Sequence, residues 1–496
     1  MKTKNKEKIV NIIVGICIFI SSFFYFGIEY LQKNYVVSYE MFIVTMFSDL
    51  HGTGSDVVLD AIKYIVPRWL LISIILIIFL FIFNNKKLKM NLYVALSKFN
   101  IKINIIFIII LFLLVSSFLI IYSSVDKLGM IDYYKRKNEI TTIYEDYYVE
   151  PGISNIKSDG DEKNIIYIYL ESMESTFMSK EHGGLSNYEL IPNLRNLALE
   201  YDNFSFNDGV GGFHSCVGTR WTVSALLATQ SGIPYSFPIG ENGMNSDIEF
   251  APNITTLGDI LNKEGYIQEF LCGSDSRFGS RNAFFKTHGD YIVYDYYTAL
   301  DNKKVNDYVW WGFDDKTLYD IAKEEITKLA KTGKKFNFTM LTVDTHPSEG
   351  YICDLCDDKY EIRYENVIDC ADRQIYDFIN WIKEQEFYEN TLIVITGDHP
   401  SMQNLHSYDD NNSDRFVYNC FINSGKDNSN CKNRKFNSLD IFPTILSAMN
   451  FDIIGNKLGL GTNLYSNENT LEEEFGYDFI NDELSKYSNY YAEHFY

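Results

Sequence analysis

The chain has 496 residues, enough for a large core and more than one structural unit. Its 44 Lys and Arg against 66 Asp and Glu leave a net charge of -22, which argues against nucleic acid as a partner and leaves the fold open. The 16% aromatic share is mostly Tyr and Phe and goes with many Ile, Asn and Lys, the mark of a coding bias, so single tyrosines carry little weight.

Lys2, Lys4, Lys6 and Lys8 precede an apolar run from Ile9 to Phe26. No small-residue cleavage site follows it. Two further charge-free runs, Trp69 to Phe83 and Ile105 to Ile121, come soon after, so the pattern reads as membrane spans rather than a signal peptide. The middle run reaches the roughly 20 residues a span needs only by including Tyr64 to Pro67 and letting Arg68 snorkel. The short patch Met41 to Phe47 reads as an interfacial dip. Between the second and third spans lie Lys86, Lys87, Lys89, Lys98 and Lys102, whereas the preceding loop carries Glu40, Asp49, Asp56 and Asp60. The positive-inside rule therefore puts the N-terminus and the 86–104 loop in the cytoplasm and everything after the third span outside.

The expected organisation is a membrane anchor with three helices over 1–122, a polar stalk over 123–160, an α/β domain over 161–465 and an acidic, Tyr-rich tail over 466–496. Within the third segment Asn164 to Leu170 and Thr391 to Thr396 are apolar runs of strand length, and Phe336 to Val343 reads as another strand. Tyr188 to Tyr201 and Cys370 to Lys383 have helical spacing. Apolar strands alternating with helices predict a mainly parallel sheet covered on both faces. Cys353, Cys356 and Cys370 have the outline of a zinc knuckle, but no second close pair follows. Outside the cytosol disulfides fit better, and the expected pairs are Cys356 with Cys370 and Cys420 with Cys431.

In an open parallel sheet functional groups gather beyond the carboxyl ends of the strands. The first apolar strand runs into Glu171, and the last into Asp398-His399. Each alone is an ordinary loop residue, but together two carboxylates and an imidazole suit Mn²⁺, Zn²⁺ or Mg²⁺. The segment from Phe213 to Pro234 follows Gly209, Gly211 and Gly212 and turns into a small-residue helix at Thr222. A threonine there is ordinarily an N-cap. A glycine-fed helix start also suits a phosphate, and a hydroxyl at that point is placed to attack it. As fourth ligand, Thr222 would have its pKa lowered by the metal. His346 sits just past another strand, where the plain reading is a turn before Pro347. Arg281 could fork onto phosphate oxygens or be a surface charge at a helix start; Arg277 and Arg220 are weaker candidates of the same kind.

Leu170-Glu-Ser, Gly218-Thr-Arg-Trp-Thr-Val-Ser-Ala, Ala228-Thr-Gln-Ser-Gly-Ile-Pro, Arg281-Asn-Ala-Phe-Phe-Lys-Thr-His-Gly289, Leu341-Thr-Val-Asp-Thr-His-Pro347, Gly397-Asp-His399 and Asp440-Ile-Phe-Pro-Thr-Ile-Leu446 occur in one order. In this the chain resembles the sulfatase-like phosphoglycerol transferases, most of all the branch that modifies osmoregulated periplasmic glucans, and more distantly the lipoteichoic acid synthases. The resemblance spans Asn164 to Met449. It implies an alkaline-phosphatase/sulfatase-like α/β domain on an anchor in the bacterial inner membrane, with one divalent metal, usually Mn²⁺. It also implies Glu171, Thr222, Asp398 and His399 as metal ligands, Thr222 as nucleophile, and Arg281 and His346 as holders of phosphate and glycerol. The implied donor is phosphatidylglycerol, with diacylglycerol leaving from a phosphoglyceryl-threonine and an envelope glycan or glycolipid as acceptor. Sulfate-ester hydrolysis is disfavoured, because the Cys/Ser-x-Pro-x-Arg motif of true sulfatases is missing. Phosphoethanolamine transfer, a metal-dependent phosphodiesterase and a catalytically silent binding protein are the alternatives.

Overall fold

The computed structural model describes residues 2–36, 39–47, 55–83, 105–158, 160–237, 249–403 and 415–495. It divides into two units, Met1–Tyr39 with Gly54–Tyr134, and Glu40–Thr53 with Lys135–Tyr496.

The first unit is built on helices Lys2–Asn34, Ser55–Phe83 and Ile105–Lys127. Their segments Ile9–Asn34, Val58–Ile78 and Ile110–Lys127 are long and apolar enough to cross a membrane. They are predominantly apolar, with Phe112 and Phe118 turned outward, as a helix facing lipid would be. Inside, Val14 and Ile18 pack against Leu76, Ile110, Leu113 and Leu114, and the hydroxyls of Ser22 and Ser73 meet at 3.2 Å. The Arg68 guanidinium lies 3.8 Å over the Tyr64 ring and donates to the Tyr64 carbonyl. The basic 86–104 loop lies outside the described residues.

The second unit is organised by a seven-stranded sheet. In chain order its strands are β1 Asn164–Leu170, β2 Gly212–Phe213, β3 Ile267–Cys272, β4 Ile292–Tyr294, β5 Phe336–Leu341, β6 Thr391–Gly397 and β7 Val417–Ile422. Their spatial order is β2-β7-β6-β1-β5-β3-β4. From β6 to β4 the neighbours are parallel, while β7 is antiparallel to both β6 and β2. Every residue of β1 is buried. Ile165, Tyr167 and Tyr169 enter one core, and Ile166, Ile168 and Leu170 the other. That is the period-two alternation of a strand covered on both faces, and each such side chain contributes about 1.5–3 kcal/mol by burial.

Two expectations change. From Lys135 on, residues read as a stalk, and those read as a tail, are woven into this unit. Ile156–Lys157 pairs with Asp452–Ile453, and Val149 bridges Gly459. Ile143 and Tyr144 are buried in the same core as Leu471, Ile480, Leu484, Tyr491 and Phe495. Second, all eight cysteines are free thiols. Cys420 and Cys431 belong to different cores, so their expected disulfide is not made. Cys356 and Cys370 are likewise unbonded and share their site with Cys353, 3.6 Å and 3.9 Å from its sulfur.

Candidate active site

β1 and β6 run in step, with Leu170 opposite Gly397, so Glu171 and Asp398 leave the sheet side by side. Gly397 permits this closeness. A Cβ there would lie 2.0 Å from the Met173 carbonyl oxygen, where the loop after β1 crosses the end of β6. Ser172 turns that loop with a φ of 55°, a left-handed conformation that costs a non-glycine residue on the order of 1 kcal/mol. In return its N–H donates to Asp398 Oδ1 at 2.8 Å and its hydroxyl to Glu171 Oε1 at 2.7 Å. From the far side the loop after β5 grips the same glutamate. The Glu171 N–H donates to Thr342 Oγ1 at 2.9 Å, and the Thr345 hydroxyl donates to the Glu171 carbonyl.

Thr222 is not an N-cap. The cap is Trp221, in extended conformation, with its N–H taken by Ser224 Oγ at 3.1 Å, and Thr222 is the first helical residue. Its hydroxyl is thus left for the site, 3.4 Å from both Glu171 Oε2 and His399 Nε2. The Thr222–Ser231 helix is tied to β1 beneath it by a 2.7 Å hydrogen bond between Tyr169 Oη and Thr229 Oγ1. Ahead of it Gly218, at φ 77°, makes a turn in which a Cβ would meet the Tyr235 carbonyl oxygen at 2.5 Å.

Glu171, Asp398 and His399 are all buried, and their donor atoms lie within 4.8 Å of one another. His399 Nδ1 faces the Pro400 carbonyl at 2.9 Å and can only donate to it, which turns Nε2 toward the carboxylates. Nε2 is 3.3 Å from Asp398 Oδ2 and 3.7 Å from Glu171 Oε1. Burial, and after it the Glu171 charge, push the Asp398 carboxyl up to about 7. On His399 burial acts downward, but the Asp398 and Glu171 charges outweigh it and its pKa rises. Asp398 Oδ2 is buried without a hydrogen-bond partner. Two buried carboxylates facing one imidazole, with one oxygen orphaned, is a donor set that fits a divalent cation.

His346 follows β5 and lies against the Trp311 ring, centroids 4.4 Å apart. Its Nδ1–H donates to the Pro347 carbonyl at 2.7 Å, so Nε2 is an acceptor. Burial, above all, lowers its pKa to about 4, and it is neutral at pH 7. His399, Asp398 and Arg281 also act on it electrostatically, which sets His346 beside the same centre. Its loop is held by a buried acid pair. Asp315 accepts the N–H groups of Val343 at 2.7 Å and Asp344 at 3.1 Å, and Asp344 Oδ1 accepts that of Asp315. Burial raises both carboxyls, Asp315 to about 7. Arg281 is buried at the start of helix Arg281–Thr287, donating to the carbonyls of Asp275 at 2.7 Å and Phe278 at 3.0 Å. It forms no ion pair among the described residues. The weaker candidates are engaged elsewhere: Arg277 pairs with Asp275 at 2.7 Å, and Arg220 donates to Tyr477 Oη and the Ser215 carbonyl.

Sequence reasoning missed Ser172, Thr342 and Thr345, although all three stand inside the motifs that pointed to their neighbours. It gave no signal for Trp311 or for the Asp315–Asp344 pair, whose members are 29 residues apart.

The profile of the family described as Sulfatase matches residues 163–451, more than half of the chain. The chain belongs to the sulfatase family. This is a metal-dependent family, and the alkaline-phosphatase/sulfatase-like fold expected from the motifs is the one found. Over 341 residues the chain is 32% identical to phosphoglycerol transferase I of Escherichia coli O157:H7, covering 66% of this chain and 42% of that protein. The phosphoglycerol transferase I of Escherichia fergusonii is likewise 32% identical, over 345 residues and with the same coverage. The chain therefore spans less than half the length of these relatives. Among solved structures, lipoteichoic acid synthase LtaP from Listeria monocytogenes superposes with a TM-score of 0.50 at 19% identity, over 62% of this chain and 78% of that one.

Proposed function

We propose that the protein is a membrane-anchored phosphoglycerol transferase of the bacterial inner membrane whose catalytic unit works on the extracytoplasmic side. It would move the head group of phosphatidylglycerol to an envelope glycan or glycolipid. One observation carries the reading. The Thr222 hydroxyl, freed from capping at a helix N-terminus, is shared at 3.4 Å between Glu171 and His399, beyond the carboxyl ends of parallel strands. The 32% identity to phosphoglycerol transferase I supports the choice of group transferred. The three apolar helices support the anchor, and the lysines at 86–104 support the orientation.

Glu171, Thr222, Asp398 and His399 would hold one divalent cation, Mn²⁺ by resemblance, with Zn²⁺ or Mg²⁺ as alternatives. When bound, that ion lowers the hydroxyl pKa and offsets phosphoryl charge. Thr222 Oγ1 forms the bond to phosphorus while the bond to the diacylglycerol oxygen breaks in line, and that oxygen leaves with a proton as diacylglycerol. An acceptor hydroxyl then attacks the phosphoglyceryl-threonine, gives up its proton and restores Thr222. The free N–H groups at the start of the Thr222–Ser231 helix and the Arg281 charge would face the phosphoryl oxygens. Neutral His346, with Nε2 accepting, suits a glycerol hydroxyl better than an anionic oxygen.

The test uses the full chain in detergent with Mn²⁺ and head-group-labelled phosphatidylglycerol, with and without an oligosaccharide or glycolipid acceptor. Transfer of label to the acceptor with stoichiometric diacylglycerol release is expected. Release of free glycerol phosphate at the same rate with or without acceptor would instead make it a phosphodiesterase, and cleavage of phosphatidylethanolamine alone would overturn the donor.

A further inference from the structure

Eighteen residues of the second unit, 353–370, hold a thiol cluster that takes no part in this chemistry. Cys353 Sγ lies 3.6 Å from Cys356 Sγ and 3.9 Å from Cys370 Sγ, and all three sulfurs fall within 4.8 Å of one another. Three thiolates around a tetrahedral Zn²⁺, with Zn–S near 2.3 Å, would be separated by about 3.8 Å, whereas a disulfide brings two sulfurs to about 2.05 Å. The observed spacing fits three sulfurs sharing an ion and is too long for a disulfide. The chain around it has the form such a site needs. Cys353 and Cys356, with two residues between them, stand in a turn closed by the Cys356 N–H to the Cys353 carbonyl at 3.2 Å. Cys370 comes from the buried face of helix Arg363–Lys383.

A second observation points the same way. Gln374, 8% exposed and one turn beyond Cys370, donates its Nε2 to Cys370 Sγ at 3.6 Å and Cys353 Sγ at 3.9 Å, while its Oε1 is buried without a partner. A buried amide spent on two sulfurs with its oxygen orphaned is costly beside neutral thiols, and is favourable beside thiolates charged by a metal. The surrounding loop is fixed by Asp354 to Lys316 at 2.7 Å, Asp357 to Arg373 at 3.2 Å and Lys359 to Asp369 at 2.8 Å, which leaves the three sulfurs facing inward.

We infer that Cys353, Cys356 and Cys370 form a second metal site, a Zn²⁺ centre with three thiolate ligands and an open fourth position, distinct from the Glu171–Asp398–His399 centre. Binding releases the thiol protons as three Zn–S bonds form, and no oxidant or reductant is involved. The site clamps the loop that leaves His346 onto helix Arg363–Lys383, and so holds the imidazole side of the active site in place.

The test measures zinc per chain, and the thiolate-to-metal charge-transfer absorption after Co²⁺ exchange, in full-length protein in detergent. It compares the wild type with Asp398→Asn, which disables the other centre, and with Cys353→Ser and Cys370→Ser. The charge-transfer band should appear in the wild type and in Asp398→Asn and be lost in both cysteine variants, with one fewer zinc bound. Because the cysteine variants could fail to fold, the wild type is also treated with a mercurial, which should release one zinc in step with the loss of three thiols. A wild type that lacks the band, releases no zinc to the mercurial and has the intact mass of a disulfide, two hydrogens lighter, would overturn the proposal.

Discussion

Replacing Asp398 by Asn should stabilise the metal-free protein at alkaline pH while destroying its ability to bind the catalytic cation. The Asp398 carboxyl is fully buried and raised from 3.8 to about 7 in the folded state, first by burial and then by Glu171. A carboxyl whose folded pKa is raised holds its proton better folded than unfolded. Its drag on stability is therefore small below its unfolded pKa and grows as pH climbs to its folded one. With about 1.36 kcal/mol per unit the ionised group costs on the order of 4 kcal/mol at pH 8 and about half a kcal/mol at pH 4. Asn keeps an oxygen for the N–H groups of Ser172 and His399, which Asp398 Oδ1 now accepts at 2.8 Å each. It also sets an amide N–H where Oδ2 has no partner, facing Glu171 and His399. Urea unfolding in chelator at pH 4 and pH 8 measures the difference. The variant should gain up to about 4 kcal/mol at pH 8 and almost nothing at pH 4, and adding Mn²⁺ should stabilise only the wild type. Equal behaviour of the two proteins at both pH values would refute the electrostatic reasoning, as would a variant less stable than wild type at pH 8.

Thr222→Ala should abolish phosphoglycerol transfer, by at least a thousandfold in kcat, with metal binding weakened but measurable by calorimetry; Thr222→Ser should retain part of the rate. Metal affinity should fall as pH is lowered below 7, because Asp398 and His399 both hold protons that the cation must displace, and a pH-independent Kd by titration would contradict this. His346→Ala should raise KM for the lipid more than it lowers kcat, and binding of a glycerol-free phosphodiester should be affected less. Gly397→Ala, whose Cβ would stand 2.0 Å from the Met173 carbonyl oxygen, should cost on the order of 2–4 kcal/mol in denaturation and displace Glu171 from Asp398.

What could be read in the sequence follows the burial of polar groups. β1 and β6 announce themselves as largely apolar runs because both of their faces are covered, and β5 does so less cleanly, with Asn337 and Thr339 buried among its apolar residues. β3 does not, because Gln268 and Glu269 interrupt it. Yet both are buried: Gln268 donates to the carbonyls of Gly258 and Gly289, and burial pushes Glu269 up to about 8, so that it is protonated at neutral pH. β7 is hidden in the same way by Asn419, which exchanges hydrogen bonds with the Phe204 backbone at 2.9 Å. The C-terminal segment reads from its sequence as an acidic, Tyr-rich tail. Its Tyr490, Tyr491 and Phe495 nevertheless pack on Tyr144, a partner more than 300 residues away that no local pattern could name. At the site the strand-end groups Glu171, Asp398 and His399 were legible from position alone. The hydroxyl and backbone contacts that hold them, from Ser172, Thr342 and Thr345, depend on the register of three strands and were not.

The central claim is that the Thr222 oxygen carries the phosphoglyceryl group between donor and acceptor. The most direct measurement is the intact mass of full-length protein incubated with Mn²⁺ and phosphatidylglycerol in the absence of acceptor, followed by fragmentation to locate the adduct. The account predicts the mass of one phosphoglyceryl group on Thr222, discharged when acceptor is added and missing in Thr222→Ala. Turnover of phosphatidylglycerol by the Thr222→Ala protein at the wild-type rate, or an adduct mapped to another residue, would contradict it.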